Sequence, residues 1–257
     1  MKISKVCLWL AVFGGLLSGG PAAVRAGTFS NLHFIGFSPD GKYLAFEQYG
    51  TGDGSGYPFA RIYFVETAKN AVAGQPFEVM INSERSSEEA ARRRARQLAA
   101  KRMRDFKIER GNTGKLLVAQ LATDRTKEKS PDGAPGDPQK VRFNDLIDLT
   151  DQEPFFELRL KPERAASAAC QGEDFSAYKF ELTLAYVRDG IDDPKSVKIL
   201  QKDARLPASR GCVLAYQIER VYSYKNKLAV FLRLAKPGYE GPDKDYMAVT
   251  GEYAPPY

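Results

Sequence analysis

The sequence predicts a mainly β protein with one long α-helix at about residues 86–107 and with antiparallel, blade-like or sandwich-like sheets. Three observations support this fold class. Apolar and polar side chains alternate along several segments, as they do in strands with one buried face. Turn residues separate these segments. One segment combines a helix-capping signal with apolar residues at helical spacing.

The first 26 residues have the features of an export signal. Lys2 and Lys5 precede an apolar run over 6–17, a Gly-Gly-Pro break follows at 19–21, and Val24-Arg25-Ala26 offers a cleavage site. A membrane anchor is the alternative, but a spanning helix needs about 20 apolar residues and this run is shorter. No cysteine adjoins the cleavage site, so lipoprotein processing is not expected. We therefore expect a soluble periplasmic or secreted protein without a transmembrane segment, after cleavage near Ala26.

The mature chain is less basic than the whole sequence. Removing 26 of the 257 residues leaves 231 and lowers the formal net charge from +6 to +3, because Lys2, Lys5 and Arg25 leave and no acid does. A chain of this length forms one large domain over 27–257 or two smaller parts. In the second case, a polar loop at 124–140 separates an N-terminal hairpin sheet with the basic helix (27–123) from a C-terminal antiparallel region (141–257).

Two cysteines, Cys170 and Cys212, remain in the mature chain. In an oxidising compartment an isolated pair of cysteines is most simply a disulfide. Free thiols or a redox pair are the alternatives. A redox pair needs close spacing or an activating base, and the sequence shows neither, so we expect a disulfide.

A β-hairpin opens the mature chain. Residues 29–37 and 42–49 form its strands, and Ser38-Pro39-Asp40-Gly41 forms its turn, with Gly41 in the left-handed position. Both faces of these strands are apolar, so we expect the sheet to be covered on both sides. A glycine-rich loop at 50–56 leads to a further strand at 60–67.

The long helix begins at a capping box, Ser86-Ser87-Glu88-Glu89, and continues to about Lys107. A narrow apolar stripe along the helix consists of Ala91, Ala95, Leu98, Ala99, Met103 and Phe106. The basic remainder of the helix includes Arg92, Arg93, Arg94 and Arg96. These arginines form either a solvated face or a contact surface for an anionic partner, such as lipid headgroups or envelope polymers. Nucleic acid is not expected, because the protein is exported and acids flank the bases.

The rest of the chain is β-rich. The expected strands lie at 116–122, 178–186, 196–201, 212–224, 227–235 and 245–252. The clearest of them is 178–186, in which apolar residues occupy every second position.

Two resemblances to known families follow from these motifs. The run from Phe37 to Phe46, with its Ser-Pro-Asp-Gly turn, resembles a blade of the TolB-type β-propeller repeats. Only one copy is present, so we expect a blade-like hairpin and not a full propeller. A second resemblance is to a family of bacterial predicted secreted proteins, domain of unknown function 2259. It is carried by residues 36–70, by Arg210-Gly211-Cys212 and by the C-terminal runs 237–243 and 248–251. This resemblance implies export and a shared fold over nearly the whole mature chain, and it implies no activity.

The sequence contains no recognisable catalytic set. His33 is the one histidine. It lies in the first predicted strand, where a structural role is expected, and no G-x-S-x-G elbow accompanies it. No Walker or Rossmann pattern indicates a nucleotide cofactor. We therefore expect no catalytic residue, no cofactor and no metal.

The candidate ligand-binding residues lie in or beside two glycine-rich loops, at 50–56 and 237–242. These residues are Asp53, Tyr57, Tyr239, Glu240 and Asp243. The leading hypothesis is an exported, non-enzymatic binding or scaffold protein whose partner is an envelope protein or an anionic envelope surface. The alternative is a hydrolase acting on envelope polymer or sugar through paired carboxylates in these loops, with Glu47 as a further candidate.

Overall fold

The computed structural model describes residues 28–108, 111–120, 138–144, 154–170, 176–238 and 241–253. The predicted signal, its cleavage site and most of the predicted polar loop lie outside the described residues. The N-terminal elements are β1 (Thr28–Phe37), β2 (Tyr43–Gly52), β3 (Pro58–Glu66), β4 (Ala71–Val72), β5 (Phe77–Met80), α1 (Glu88–Asp105) and β6 (Lys115–Ala119). The C-terminal elements are β7 (Gln139–Phe143), β8 (Phe155–Ala165), β9 (Ala177–Arg188), β10 (Ile191–Asp192), β11 (Lys198–Lys202), β12 (Ala215–Tyr224), β13 (Lys227–Lys236) and β14 (Asp243–Glu252).

These strands form two sheets. The first has the order β4-β3-β2-β1-β14-β13-β12-β6, with β5 also paired to β3. Its pairs are antiparallel except for β1 and β14, which are parallel and meet at Phe29 and Lys244. The second has the order β10-β9-β8-β7, with β11 also paired to β9. The predicted class, mainly β with one helix, antiparallel sheets and no propeller, is confirmed.

The first sheet folds back on itself where β1 meets β14. Phe46 of β2 and Phe231 of β13 have ring centroids 5.4 Å apart, although two strands separate them in the sheet order. Adjacent strands lie about 4.8 Å apart, so a flat sheet would hold these rings about 14 Å apart. The N-terminal strands β1–β3 therefore pack face to face against the C-terminal strands β12–β14.

Three hydrophobic clusters define the resulting layers. One joins α1 to the outer face of β1–β3, a second joins β1–β3 to β12–β14, and a third joins β12–β14 to the second sheet. The order of layers is thus helix, N-terminal strands, C-terminal strands and second sheet. Since β1–β3 lie between two layers, the expectation of a sheet covered on both sides is confirmed.

The first hairpin extends further than predicted. Gly41 has φ +74° in the turn, as expected, but β2 continues to Gly52, into the predicted glycine-rich loop. The strand can continue through this segment because the backbones of β1 and β2 approach closely at Gly50, where a Cβ would lie 2.1 Å from the carbonyl oxygen of Phe29. Glycine is needed there for strand pairing rather than for a loop.

The helix α1 buries a narrower face than predicted. The Ser87 hydroxyl accepts a hydrogen bond from the Ala90 amide at 3.2 Å, so Ser87 caps the helix close to the predicted start. The third helical residue is Ala90 rather than a glutamate, so the cap lacks the reciprocal contact of a capping box. Ala91, Ala95 and Ala99 are fully buried, whereas Leu98 is 56% exposed. The placement of Leu98 in the apolar stripe is wrong, because the residues against the sheet are spaced by four and Leu98 is rotated away from them.

A disulfide joins Cys170 and Cys212, whose Cα atoms are 5.1 Å apart, and this confirms the predicted bond. It connects the end of β8 to the segment before β12. Among the described residues, no helix has the length and apolar character required to cross a membrane.

Candidate functional site

A cavity of about 530 Å³ lies between α1 and the strands β1–β3; we call it the helix cavity. Its wall is largely aliphatic and includes Ile35, Ile62, Met103 and Ile108. The guanidinium groups of Arg92 and Arg96 also line it, together with His33. The arrangement of an apolar wall with a few polar groups is typical of small-molecule sites.

Strand register places a carboxylate beneath this cavity. His33 of β1 is paired with Glu47 of β2, and Glu47 is paired with Ile62 of β3. The three residues therefore form one row across the sheet, and the outer two line the cavity. Glu47 is 0% exposed. Every second residue of a strand points to the same face. Ala45, two residues before Glu47, packs in the cluster with α1, so Glu47 also faces α1.

Two arginines of α1 bind this buried carboxylate. Arg92 donates from Nε at 3.2 Å and from Nη2 at 2.9 Å to Glu47 Oε2. Arg96 donates from Nη2 to the same oxygen at 2.7 Å. The arginines are four residues apart, which puts them on one side of the helix. The Arg92 guanidinium also lies 3.8 Å from the ring centroid of Tyr49, a cation–π contact.

The hydrogen bonding of this cluster is uneven. Glu89, half-exposed at the outer side, accepts from Nη1 of Arg92 and of Arg96 at 3.2 and 3.3 Å. Five hydrogen bonds thus connect the two arginines to the two carboxylates, whereas two guanidinium groups carry about ten N–H donors. Several N–H donors of Arg92 and Arg96 therefore have no hydrogen-bond partner among these described carboxylates. Glu47 Oε1, in contrast, is sealed from solvent and accepts no hydrogen bond from any residue that the structure describes.

Arg92 stays charged in this setting. Burial alone would lower the pKa of Arg92, but the hydrogen bonds and negative charge of Glu47 outweigh burial and raise the pKa above its ordinary value. The side chains of Arg92 and Arg96 are 17% and 21% exposed. The helix cavity thus places two partly buried guanidinium groups, each paired with Glu47 and Glu89, next to an aliphatic wall.

The predicted basic surface divides into two parts. Arg92 and Arg96 turn inward to Glu47, whereas Arg93 and Arg94 are exposed on the outer side of α1. Within the described part of the chain, no ion pair involves Arg93 or Arg94. Contact of this face with an anionic surface stays a prediction.

The predicted ligand loops lie away from the helix cavity. Asp53 and Tyr57 are half-buried in the β2–β3 loop, Asp243 begins β14, and Tyr239 and Glu240 lie outside the described residues. Thr28 is paired with Gly52 and Phe29 with Lys244, so the two loops lie at the same end of the first sheet. Their role in ligand binding stays a prediction. Within the described ranges, no group of three or more His, Cys, Asp or Glu side chains is placed to hold a metal ion.

The sequence contained one signal for this site. Glu47 follows the apolar run from Tyr43 to Phe46 in the same strand, and a buried carboxylate in such a strand needs a cationic partner. The identity of the partners was not visible, because Arg92 and Arg96 lie 45 and 49 residues further along the chain.

The sequence profile of a family of predicted secreted proteins, DUF2259, matches residues 45–252. The chain belongs to this family. The match includes Glu47, Arg92, Arg96 and both disulfide cysteines, and the resemblance stated from the sequence motifs is confirmed. The description of DUF2259 also agrees with the export expected from the first 26 residues. No curated protein matches the chain.

Proposed function

We propose that this DUF2259 protein is an exported, non-enzymatic binding protein of the cell envelope and that the helix cavity is its binding site. The observation that carries this proposal is a cavity of about 530 Å³ whose wall combines an aliphatic surface with two charged, partly buried arginines. A purely scaffolding role would require no such cavity.

The chemistry of the wall points to an amphipathic anion. The guanidinium fork matches a carboxylate in geometry and charge, and Arg92 and Arg96 retain unused donors. The aliphatic residues Ile35, Ile62 and Met103 provide a surface that favours an apolar chain. The ligand class is therefore a monocarboxylate with a hydrocarbon tail.

The position of Glu47 supports binding rather than hydrolysis. A glycosidase needs two carboxylates on either side of the scissile bond, about 5–10 Å apart. Glu47, one of the acids considered for such a pair, is fully buried and paired with Arg92 and Arg96. It faces α1 and is not available to a cleft at the loops.

Calorimetric titration of the mature protein with sodium octanoate tests the proposal. Ala100→Leu adds volume inside the cavity without touching the ion pairs, and Arg96→Gln removes one guanidinium. We expect each change to weaken octanoate binding about tenfold or more, as for loss of a charged hydrogen bond. Gln97→Leu and Arg94→Gln are the matched controls on the exposed side of α1 and should leave affinity unchanged.

Two results would contradict this function. One is no binding of octanoate up to about 10 mM, a range that reveals millimolar affinity. The other is equal binding of octanoate and 1-octanol, since the alcohol shares the tail and lacks the carboxylate that the arginines recognise.

A further inference from the structure

A second opening, separate from the helix cavity, lies where the two halves of the first sheet face each other. This groove has a volume of about 540 Å³; we call it the edge groove. Phe46, Tyr63 and Val65 line it from the N-terminal strands, and Lys236, Tyr246 and Ala248 line it from the C-terminal strands.

One wall of the edge groove is an incompletely paired strand. β14 is paired with β13 along its whole length, but its other edge meets β1 only at Lys244. In an antiparallel pair, every second residue directs its N–H and C=O away from the partner strand. The residues of β14 whose main-chain groups point away from β13 are Lys244, Tyr246, Ala248, Thr250 and Glu252.

Side-chain amides replace the missing strand at two of these positions. Gln48 Nε2 donates to the carbonyl oxygen of Tyr246 at 2.6 Å, and the Tyr246 amide donates to Gln48 Oε1 at 3.3 Å. The Thr250 amide donates to Asn70 Oδ1 at 2.8 Å. The protein thus satisfies this edge with carboxamide groups, which have the same donor and acceptor chemistry as a peptide unit.

Ala248 lies midway between these two capped positions and has no such partner. Its outward N–H and C=O form no hydrogen bond with any described residue, and Ala248 is half-buried on the wall of the groove. An unpaired main-chain N–H and C=O at a sheet edge is a template for another strand. The opposite wall offers the stacked rings of Phe46 and Tyr63, 4.9 Å apart.

We infer that the edge groove binds an extended peptide segment, which pairs with the N–H and C=O of Ala248 and places an apolar side chain against Phe46 and Tyr63. This is recognition by strand addition, in which main-chain hydrogen bonds supply affinity and side-chain contacts supply preference. The charges in the groove agree with an uncharged segment. Lys236 pairs with Asp245 at 2.6 Å, and Arg210, which also lines the groove, pairs with Asp203 at 2.5 Å. Each of these cations is therefore neutralised by an acid.

The hydroxyl of Tyr63 adds a second polar contact. It forms no hydrogen bond with the described residues. Burial is the main cause that raises the pKa of Tyr63 to about 12, and the nearby negative charge of Asp245 adds to it. The hydroxyl is therefore protonated at neutral pH and can donate to a carbonyl oxygen of the bound segment.

NMR titration of the ¹⁵N-labelled mature protein with acetyl-Ala-Leu-Ala-N-methylamide tests this inference. We expect the largest amide shift at Ala248 and smaller shifts at its neighbours in the groove. An analogue with an ester in place of the leucine amide lacks one N–H donor, and it should bind about threefold to tenfold more weakly, the contribution of one net hydrogen bond. Because the change is made in the probe, the fold of the protein is not at risk.

Three outcomes would overturn the inference. These are no shift up to about 10 mM peptide, a range that reveals millimolar binding; shifts centred outside the edge groove; and equal affinity for the amide and the ester. Shifts at Ala248 that persist in the presence of saturating octanoate would show that this site acts independently of the helix cavity.

Discussion

Replacing Glu47 with glutamine removes one charge from the interface between α1 and the sheet. Glutamine keeps the volume of the side chain and one acceptor oxygen, so the packing around it is preserved. The three hydrogen bonds from Arg92 and Arg96 to Glu47 Oε2 become bonds to a neutral acceptor. We expect the free energy of unfolding to fall.

The contacts set the size of this effect. A hydrogen bond to a charged group contributes about 1 kcal/mol more than a neutral one, which gives about 3 kcal/mol for three bonds. Glu89 still pairs with both arginines, and Arg92 and Arg96 are about one-fifth exposed, so part of this loss is compensated. We expect a loss of about 2–3 kcal/mol, or a fall in Tm of about 5–10 °C for a chain of this size.

Urea unfolding followed by circular dichroism measures this loss, and Glu89→Gln is the matched control. Glu89 binds the same two arginines, but its side chain is 49% exposed, and exposed ion pairs contribute little. The control should therefore lose less than about 0.5 kcal/mol. If Glu47→Gln were no more destabilising than Glu89→Gln, the buried carboxylate would not hold the helix on the sheet.

Two further predictions concern the second sheet and the bond that ties it to β12. Replacing Cys170 and Cys212 together with serine should lower the free energy of unfolding by roughly 4 kcal/mol, because the bond closes a loop of 42 residues; two titratable thiols in the native protein would contradict this. Burial alone would raise the pKa of Glu157, but hydrogen bonds from Arg142 and Arg159 outweigh burial and hold the pKa below its ordinary value of 4.5. Its stabilising contribution is therefore present above pH 4.5 and is lost as the pH falls towards the lowered pKa. The free energy of unfolding should fall less between about pH 5 and 3 in Glu157→Gln than in the wild type. An equal fall in both proteins would show that Glu157 does not contribute to this pH dependence.

Local patterns predicted several elements because their causes lie within a few residues. The Ser-Pro-Asp-Gly turn formed where proline and glycine dictate it, and the Ser87 cap began α1. One strand with a clear pattern was nevertheless missed. In β8, Phe156, Leu158 and Leu160 alternate with charged residues, but Pro162 weakened the pattern. The structure tolerates this proline because pairing of β8 with β7 ends at Leu160, so the missing N–H lies at an open edge.

The candidate sites depended on contacts that no local pattern contains. Glu47 meets Arg92 across 45 residues, and Gln48 meets Tyr246 across 198 residues. Periodicity assigns a residue to a face of its element, but it does not specify which element covers that face. Arg92 and Arg96 point inward and Arg93 and Arg94 point outward because α1 packs on the sheet through the side that carries Ala91, Ala95 and Ala99.

Sequence motifs alone were enough to predict the family, the predominance of antiparallel strands with one capped helix, and the disulfide between Cys170 and Cys212. These follow from periodicity, turn chemistry and the count of thiols. Three features became visible only in the folded chain. The first sheet folds back at β1 and β14, the helix cavity opens beside a buried ion pair, and the outward main-chain groups of Ala248 have no partner among the described residues. The physical reason is that these features depend on how layers pack, and packing is set by residues far apart in the chain acting together.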